Sequence, residues 1–570
     1  MTALTTIRDL KSWLGFAHKG RGQARVGRWQ AECDQNTACE FLEDRTLLAA
    51  AAATALGADR LDTAFGTDGS TTTDFNARGN FAEATSAFAS AVVVQPNGKI
   101  LVAGTVDQGG NRNFAVARYQ SNGSLDRSFG TAGKVVISFD LGGNLADVVS
   151  GLALQSNGRI VVVGTVDADS SPVISRVGRI ALDRFSTTLR VPDASVFPAT
   201  PFSIEIGDEK ILVTAISQDT NTLTIDRAQS GTTAAAHASG STIRLLGDRD
   251  FAIARLLSNG RLDTSFDGDG KQTVAFDRGG NLQDTASGVV VQSDGKIVVV
   301  GTATMDDSGD TDFAIARLMS NGQADLSFDT DGKQTVAMRP DSGLADIAAA
   351  IAIGSGGKII VAGSSEASSG AGHDFAVARL NANGSLDTSF SGDGRATIAF
   401  DLGGENDDRG TSLGIQSNGK IVVGGYAQFD GRGNDDFAIA RLNTNGSLDR
   451  TFDEDGKATV SFDVGGANQD RVASLAIQAN GQIVLVGSAQ MDAAGDFDFA
   501  VARLDRNGDM DTTFDGDGKG TIAFDRGGSN ADFATGIAID SNRRLVITGR
   551  AANLTSGDFD FALTRLFGLG

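Results

Sequence analysis

The stretch Asp436-Phe-Ala-Ile-Ala-Arg-Leu-Asn-Thr-Asn-Gly-Ser-Leu-Asp449 decides the fold. Its first half alternates as a strand does, and its second half turns at Asn445-Gly446. The motif Asp-Phe-Ala-x-x-Arg recurs with Phe at 251, 313, 375, 437, 499 and 561, always 62 residues apart. An earlier copy, Phe114-Ala-Val-Ala-Arg118, precedes Phe251 by 137 residues, which is one repeat plus an insertion of 75. A fixed period of this length means one small structural unit used many times.

Other signatures keep the same count. Leu-Asp-x-x-Phe or a near match begins at Leu61, Leu125, Leu262, Ala324, Leu386, Leu448 and Met510. A turn of the Asn-Gly-Lys-Ile kind has its Gly at 98, 158, 295, 357, 419 and 481, with Arg543 in the last copy. In the unit 271–322, Lys271–Asp277, Ala286–Gln292, Lys296–Gly301 and Asp312–Leu318 read as four short strands of one antiparallel sheet. Ser293-Asp-Gly295 is the tight turn between the second and third. Seven such units predict an all-β fold, a seven-bladed β-propeller of 62-residue four-stranded repeats with a small β-domain insertion. The chain enters the repeat at Leu61 and leaves it at Leu566. First and last copies are therefore expected to complete one sheet, leaving no open edge.

The strings Gln416-Ser-Asn-Gly-Lys-Ile-Val-Val423 and Asp436–Asp449 resemble the delta-60 repeat proteins. The resemblance spans roughly residues 57–570 apart from the insertion. It implies a propeller and carries no activity with it.

Composition bounds the function. The chain has 570 residues, 73 of them Gly, and 41% hydrophobic residues suffice for a core. A net charge of −22 repels phosphate backbones, so nucleic acid is not the expected partner. Both Cys (Cys33, Cys39) and both Trp (Trp13, Trp29) lie in the first 56 residues. That stretch reads as a leader: Arg8, Lys11, Lys19, Arg21, Arg25 and Arg28, then an apolar Ala-rich run to Leu56. Leu42-Glu-Asp-Arg-Thr-Leu-Leu-Ala49 resembles the "LEDR-LL" N-terminal motif of presumed exported planctomycete-type proteins. The expected layout is 1–56 leader, mostly disordered, 57–570 propeller, and 170–247 a β-module inserted in the second full repeat. No apolar run after the leader is long enough to span a membrane.

The insertion holds four of the six Pro: Pro172, Pro192, Pro198 and Pro201. Thr188–Val191, Phe202–Ile206, Ile211–Thr214 and Thr222–Ile225 alternate as strands. The segment resembles small β-modules of bacterial and phage surface proteins. It breaks the sevenfold sameness, so it is the best candidate for a partner-binding feature; the alternative is a tolerated loop insertion.

Chemistry-bearing residues are few. Every copy has an Arg on the Phe-Ala strand: Arg118, Arg255, Arg317, Arg379, Arg441, Arg503 and Arg565. Phe251, Ile253 and Arg255 share a face, and an Arg on an apolar face needs a carboxylate. The expected partners are Asp126, Asp263, Asp387, Asp449 and Asp511 of the Leu-Asp-x-x-Phe motif, in a scaffold role. Acidic glycine loops give the candidate metal ligands: Asp140/Asp147, Asp277/Asp284, Asp401/Asp408, Asp463/Asp470 and Asp525/Asp532. Loops of the Asp-Gly-Asp-Gly kind (Asp267/Asp269, Asp329/Asp331, Asp453/Asp455, Asp515/Asp517) lie near them in sequence. Ca²⁺ takes six to eight oxygens, which such loops supply, and it is the one cofactor the sequence admits. The same residues also serve simply as turn formers. His373 is the one His of the propeller repeats and reads as a surface residue. No catalytic residue is singled out. The expected function is an exported, monomeric binding or structural module for a protein or polysaccharide; the alternative is a calcium-stabilised hydrolase or lyase acting on polysaccharide.

Overall fold

The computed structural model describes residues 55–57, 60–75, 84–139, 146–167, 175–195, 197, 202–206, 209–228, 233–245, 249–276, 283–305, 310–340, 343–368, 372–400, 402, 407–430, 434–462, 469–492, 495–524, 531–553 and 558–568. Apart from one 3-10 turn at Ser355–Gly357, its regular elements are strands. No helix among them is long and apolar enough to cross a membrane.

The described strands form seven four-stranded antiparallel sheets and one six-stranded sheet. The first sheet runs Ala84–Val94, Ile100–Gln108, Asn111–Tyr119, Lys134–Ile137, in chain order from one edge to the other. The initial strands of sheets two to seven are Val148–Leu154, Asp284–Val291, Asp346–Ile353, Arg409–Ile415, Arg471–Ile477 and Phe533–Ile539. These seven strands touch in order, and Phe533–Ile539 returns to Ala84–Val94. They are the inner edges of sheets arranged in a closed cycle, the arrangement of a β-propeller. The seventh sheet is completed by Ser70–Thr73, which pairs with Asp558–Leu566.

One sequence unit does not equal one sheet. Lys271–Val274 is the outer strand of the second sheet, paired with Arg249–Leu256, while the third sheet begins at Asp284. The four strands of the unit 271–322 are therefore shared between neighbours. Each crossing from one sheet to the next falls inside the repeat, and the same offset makes Ser70–Thr73 the outer strand of the last sheet.

Neighbouring sheets pack through a Phe set against a glycine. The ring carbon Cζ of Phe114 faces Gly164, Phe251 faces Gly301, Phe375 faces Gly425, Phe499 faces Gly549, and Phe561 of the last sheet faces Gly104 of the first. A methyl group at Gly104 would lie 2.1 Å from the Phe88 carbonyl oxygen and 2.8 Å from the Phe561 ring, so glycine is required there. The apolar core lies between the sheets. Phe561, Leu563 and Val546 of the last sheet join Val102, Ala115 and Ala117 of the first in one buried cluster. Each fully buried Phe contributes about 1.5–3 kcal/mol by transfer from water.

Within each sheet, the second strand returns to the third at one end. There the short Asn111 connection of the first sheet is replaced in the second by residues 168–248. Asp167 and Arg249 on either side remain register partners, with Arg249 Nε 2.9 Å from Asp167 Oδ1. The inserted residues build the six-stranded sheet Ser175–Arg176, Thr242–Leu245, Phe202–Ile206, Glu209–Ser217, Thr222–Asp226, Thr188–Arg190, in spatial order. It has its own buried cluster, including Leu189, Ile204, Ile211, Val213, Leu223 and Ile243.

Candidate functional site

The repeated arginines come first, because each four-stranded sheet carries one. Arg118, Arg255, Arg317, Arg379, Arg441, Arg503 and Arg565 pair with Asp126, Asp263, Asp325, Asp387, Asp449, Asp511 and Asp62 at 2.5–2.9 Å. Each guanidinium also lies over a Phe ring of the same turn, Phe129 to Phe514 and Phe65, at 4.5–5.0 Å. In six of them Nη1 donates to a carbonyl of the neighbouring sheet: Ser258, Ser320, Ala382, Thr444, Arg506 or Ser121. A second cation from the hairpin turn reaches most of these aspartates, such as Lys99 on Asp126 at 2.7 Å and Arg544 on Asp62 at 2.9 Å. Burial pushes the Asp126, Asp325, Asp387 and Asp449 carboxyls up, and hydrogen bonds from Lys, Ser or Thr together with the Arg charge outweigh it, holding them well below the usual range. This device ties sheet to sheet. The motif spacing pointed to five of the partners; Asp325 and Asp62 complete the set.

The acidic loops divide into two kinds. Asp147, Asp284, Asp408, Asp470 and Asp532 are at most 1% exposed. Their Oδ2 atoms accept the backbone N–H groups of Phe139, Phe276, Phe400, Phe462 and Phe524 at 2.5–3.0 Å. Each thereby anchors the crossing from one sheet to the next. Asp346 does the same for Met338 at 2.6 Å, at the same spacing of eight, although its loop lacks the Gly-Gly pair. Their sequence partners Asp140, Asp277, Asp401, Asp463 and Asp525 lie outside the described residues. In the Asp-Gly-Asp-Gly loops, Asp267, Asp329, Asp453 and Asp515 take positive φ. Asp269, Asp331, Asp455 and Asp517 accept the N–H two residues on, from Lys271, Lys333, Lys457 and Lys519, at 2.8–3.1 Å. These are Asx turns.

The inserted sheet carries one buried charge cluster. Glu209 receives Arg227 on both carboxylate oxygens at 2.6 Å, and His237 Nε2 lies 2.7 Å from Oε2. Burial works to raise the Glu209 pKa; Arg227, the Ala235 N–H and His237 outweigh it and bring it to about 2. A polar cavity of about 290 Å³ between the second and third sheets is lined by Gln155, Arg159, Arg255 and Asp294, all from repeated motifs.

Sevenfold sameness fails at one more place. Opposite the hairpin ends, the inner strand and the second strand of each sheet present one residue pair in the same register. The pairs are Phe88/Thr105, Val148/Thr165, Thr285/Thr302, Ile347/Ser364, Arg409/Tyr426, Arg471/Ser488 and Phe533/Arg550. In the first four sheets the second member is a hydroxyl that accepts the N–H of Val149, Ala286, Ala348 or Gly410 from the next sheet, at 3.0–3.1 Å. From the fifth sheet onward this pattern changes. Arg471 lies over the Tyr426 ring at 4.8 Å and pairs with Asp435 at 2.6 Å. Arg409 pairs with Asp407 at 3.0 Å. His373 is only partly exposed, with Nδ1 2.7 Å from Asp407 Oδ1 and 3.2 Å from Arg409 Nη2. Burial works to raise Asp407, and Arg409 and His373 outweigh it and lower it. Arg550 lies between the Phe533, Phe559 and Phe88 rings at 4.4, 5.0 and 5.4 Å. Phe497 stacks on Phe533 at 5.1 Å. Val148 and Ile347 are 39% and 36% exposed in the same row. This arc of arginine and aromatic side chains, at the inner-strand ends of sheets five, six, seven and one, is the candidate site. Sequence reading passed over it because its members come from four different sheets, and Phe88 precedes Arg550 by 462 residues. The available signal was Gly549-Arg550, and Gly425-Tyr426, standing where the other copies have Gly-Thr or Gly-Ser.

The family model "Domain of unknown function (DUF5122) beta-propeller" matches residues 95–129, 238–266, 292–328, 356–390, 416–452 and 478–514. No curated protein matches the chain. Solved structures similar to it include Sqt1 of Chaetomium thermophilum, at 11% identity and TM-score 0.37 over 85% of this chain and 97% of that one. A gluconolactonase of Xanthomonas campestris matches at 14% identity and TM-score 0.28 over 64% and 95%. An α-L-arabinanase of Cellvibrio cellulosa matches at 11% identity and TM-score 0.26 over 49% and 89%. Its six matched segments, set at the repeat period on a ring of four-stranded sheets, fit a repeat β-propeller family of the delta-60-like kind.

Proposed function

We propose that the protein is a non-catalytic binding module whose partner is a protein or a polysaccharide. One observation carries the reading: the side chains that differ from sheet to sheet gather at one end of the sheets. The repeated Arg–Asp pairs and the crossing aspartates serve the scaffold alike in every copy where they are described. The arc Arg409, Arg471, Phe533, Arg550 and Phe88 is confined to sheets five, six, seven and one, and the inserted sheet leaves its parent sheet at that same end. Arginine and aromatic residues are the side chains that dominate binding energy at recognition surfaces.

Export belongs to the same reading, supported by the basic and then apolar leader, and N-terminal sequencing of the native protein tests it. Calcium at the Asp140/Asp147-type loops is proposed as a stabiliser. Equilibrium dialysis with ⁴⁵Ca and melting curves with and without EDTA test it; no bound calcium and no shift remove it.

The binding reading is tested with the full chain on a glycan array and against cell-surface extracts of its source, alongside two variants. One has residues 175–245 replaced by a short turn; the other carries Arg409→Glu and Arg471→Glu. Saturable capture of one ligand class, lost in either variant and without turnover of the ligand, supports it. Release of cleaved product, or capture indifferent to both variants, contradicts it.

A further inference from the structure

Arg550 is half-buried and, unlike the arginines of the repeats and of the arc, has no carboxylate partner among the described residues. The seven repeated arginines each hold an aspartate, and Arg409 and Arg471 of the arc pair with Asp407 and Asp435. Arg550 Nε is shut off from solvent and bonded to nothing. Burial alone acts on its charge, and it acts against it. Its surroundings are the faces of Phe88, Phe533 and Phe559, with Phe88 5.6 Å from Phe559. Cation–π attraction to the rings offsets part of the desolvation. It leaves Nε without a hydrogen bond, and the N–H edge of a guanidinium is what matches a carboxylate.

The register shows that the fold does not need an arginine here. Thr105, Thr165 and Thr302 occupy the same place in other sheets and serve the next inner strand through a hydroxyl. The seventh sheet gives up that bond for a cation in a chain of net charge −22, between its own inner strand and that of the first sheet.

We propose that Arg550, framed by Phe88, Phe533 and Phe559, receives a carboxylate side chain of a partner protein segment, with the neighbouring apolar side chains of that segment lying on the rings. A protein segment fits better than a sugar chain, because the frame is carbon on three sides and offers no acceptor or amide for hydroxyl groups. The proposal rests on the binding reading above and names the chemistry of the partner.

The test is calorimetric titration of the full chain with a blocked Leu-Glu-Phe tripeptide and with its Leu-Gln-Phe counterpart. The variant is Arg550→Thr, which installs the residue the fold already uses at this register. The Gln peptide, and the Glu peptide on the variant, are each expected to bind at least about tenfold more weakly, as for loss of a charged hydrogen bond. Equal binding of both peptides, undiminished binding by the variant, or no binding at millimolar peptide overturns the proposal. So does Arg550-dependent binding of polygalacturonate with none of the peptide, which assigns the site to an acidic sugar chain. If the peptide result fails while excision of the inserted sheet still abolishes partner capture, the binding reading stands without this site. If the full chain captures no macromolecule at all, the binding reading itself falls.

Discussion

At the residue scale, the molecule uses carboxylates in two opposite ways. Asp62 is the example of a charge kept ionised. Arg565 and Arg544 both contact it, and with burial working to raise its pKa, their attraction and the Ala64 N–H outweigh that and lower it. Removing the charge leaves two guanidinium groups facing a neutral amide. Asp62→Asn is expected to cost about 3–5 kcal/mol in urea unfolding, the usual penalty for breaking one side of a buried pair. A loss under about 1 kcal/mol would show that the pair is not formed. Asp346 is the reverse case. Burial raises its pKa to about 6, despite the Met338 N–H it accepts. The folded state therefore binds the proton more tightly than the unfolded chain. Asp346 contributes stability below pH 4, and that contribution is lost as pH rises from about 4 to 6. Asp346→Asn keeps the acceptor without the charge. It is expected to be more stable than wild type at pH 7, by about 3 kcal/mol at most, with the difference closing below pH 4. Thermal melts at pH 4, 5, 6 and 7 measure it, and a constant difference across that range contradicts the account. Five of the Arg–Asp pairs were legible in the sequence because their partners sit eight residues apart across one turn; Arg565 reaches Asp62 across 503 residues. Arg550 was not, because its frame comes from residues 88, 533 and 559 and exists only once the ring has formed.

At the scale of elements, strand identity was plain and strand ownership was not. Lys271–Val274 alternates as a strand in any reading, but nothing local says that it belongs to the preceding sheet. That depends on the crossing Phe276–Asp284, where a buried carboxylate closes the turn. The insertion was legible through its break in period and its prolines. Its further strands, Ser175–Arg176 at the edge and Thr242–Leu245 beside it, are too short to register as patterns. The inserted sheet has its own core, and its two attachment points are adjacent register partners. Replacing 168–248 by a two- to four-residue turn between Asp167 and Arg249 should therefore leave the seven sheets intact. A single cooperative melt within a few degrees of wild type, with unchanged strand content by circular dichroism, is the expected result. A broad or absent transition would show that the second sheet needs the insert.

At the scale of the whole molecule, closure is what the separate observations share. Ser70–Thr73 pairs with Asp558–Leu566, Phe75 stacks on Phe561 at 4.9 Å, Arg565 reaches Asp62, and the Phe561 ring covers Gly104. Radial repetition leaves only short outer strands, such as Lys134–Ile137, as sheet edges. Closure also creates the seam where Phe88 meets Arg550, so the proposed site depends on it. The most direct measurement is an oxidative cross-link between the register partners Thr72 and Ala562, as Thr72→Cys and Ala562→Cys, with Cys33 and Cys39 changed to Ser. The account predicts a near-quantitative disulfide within one chain, seen as faster migration on a non-reducing gel. Cross-linking only between chains, or none under the same oxidant, would contradict it.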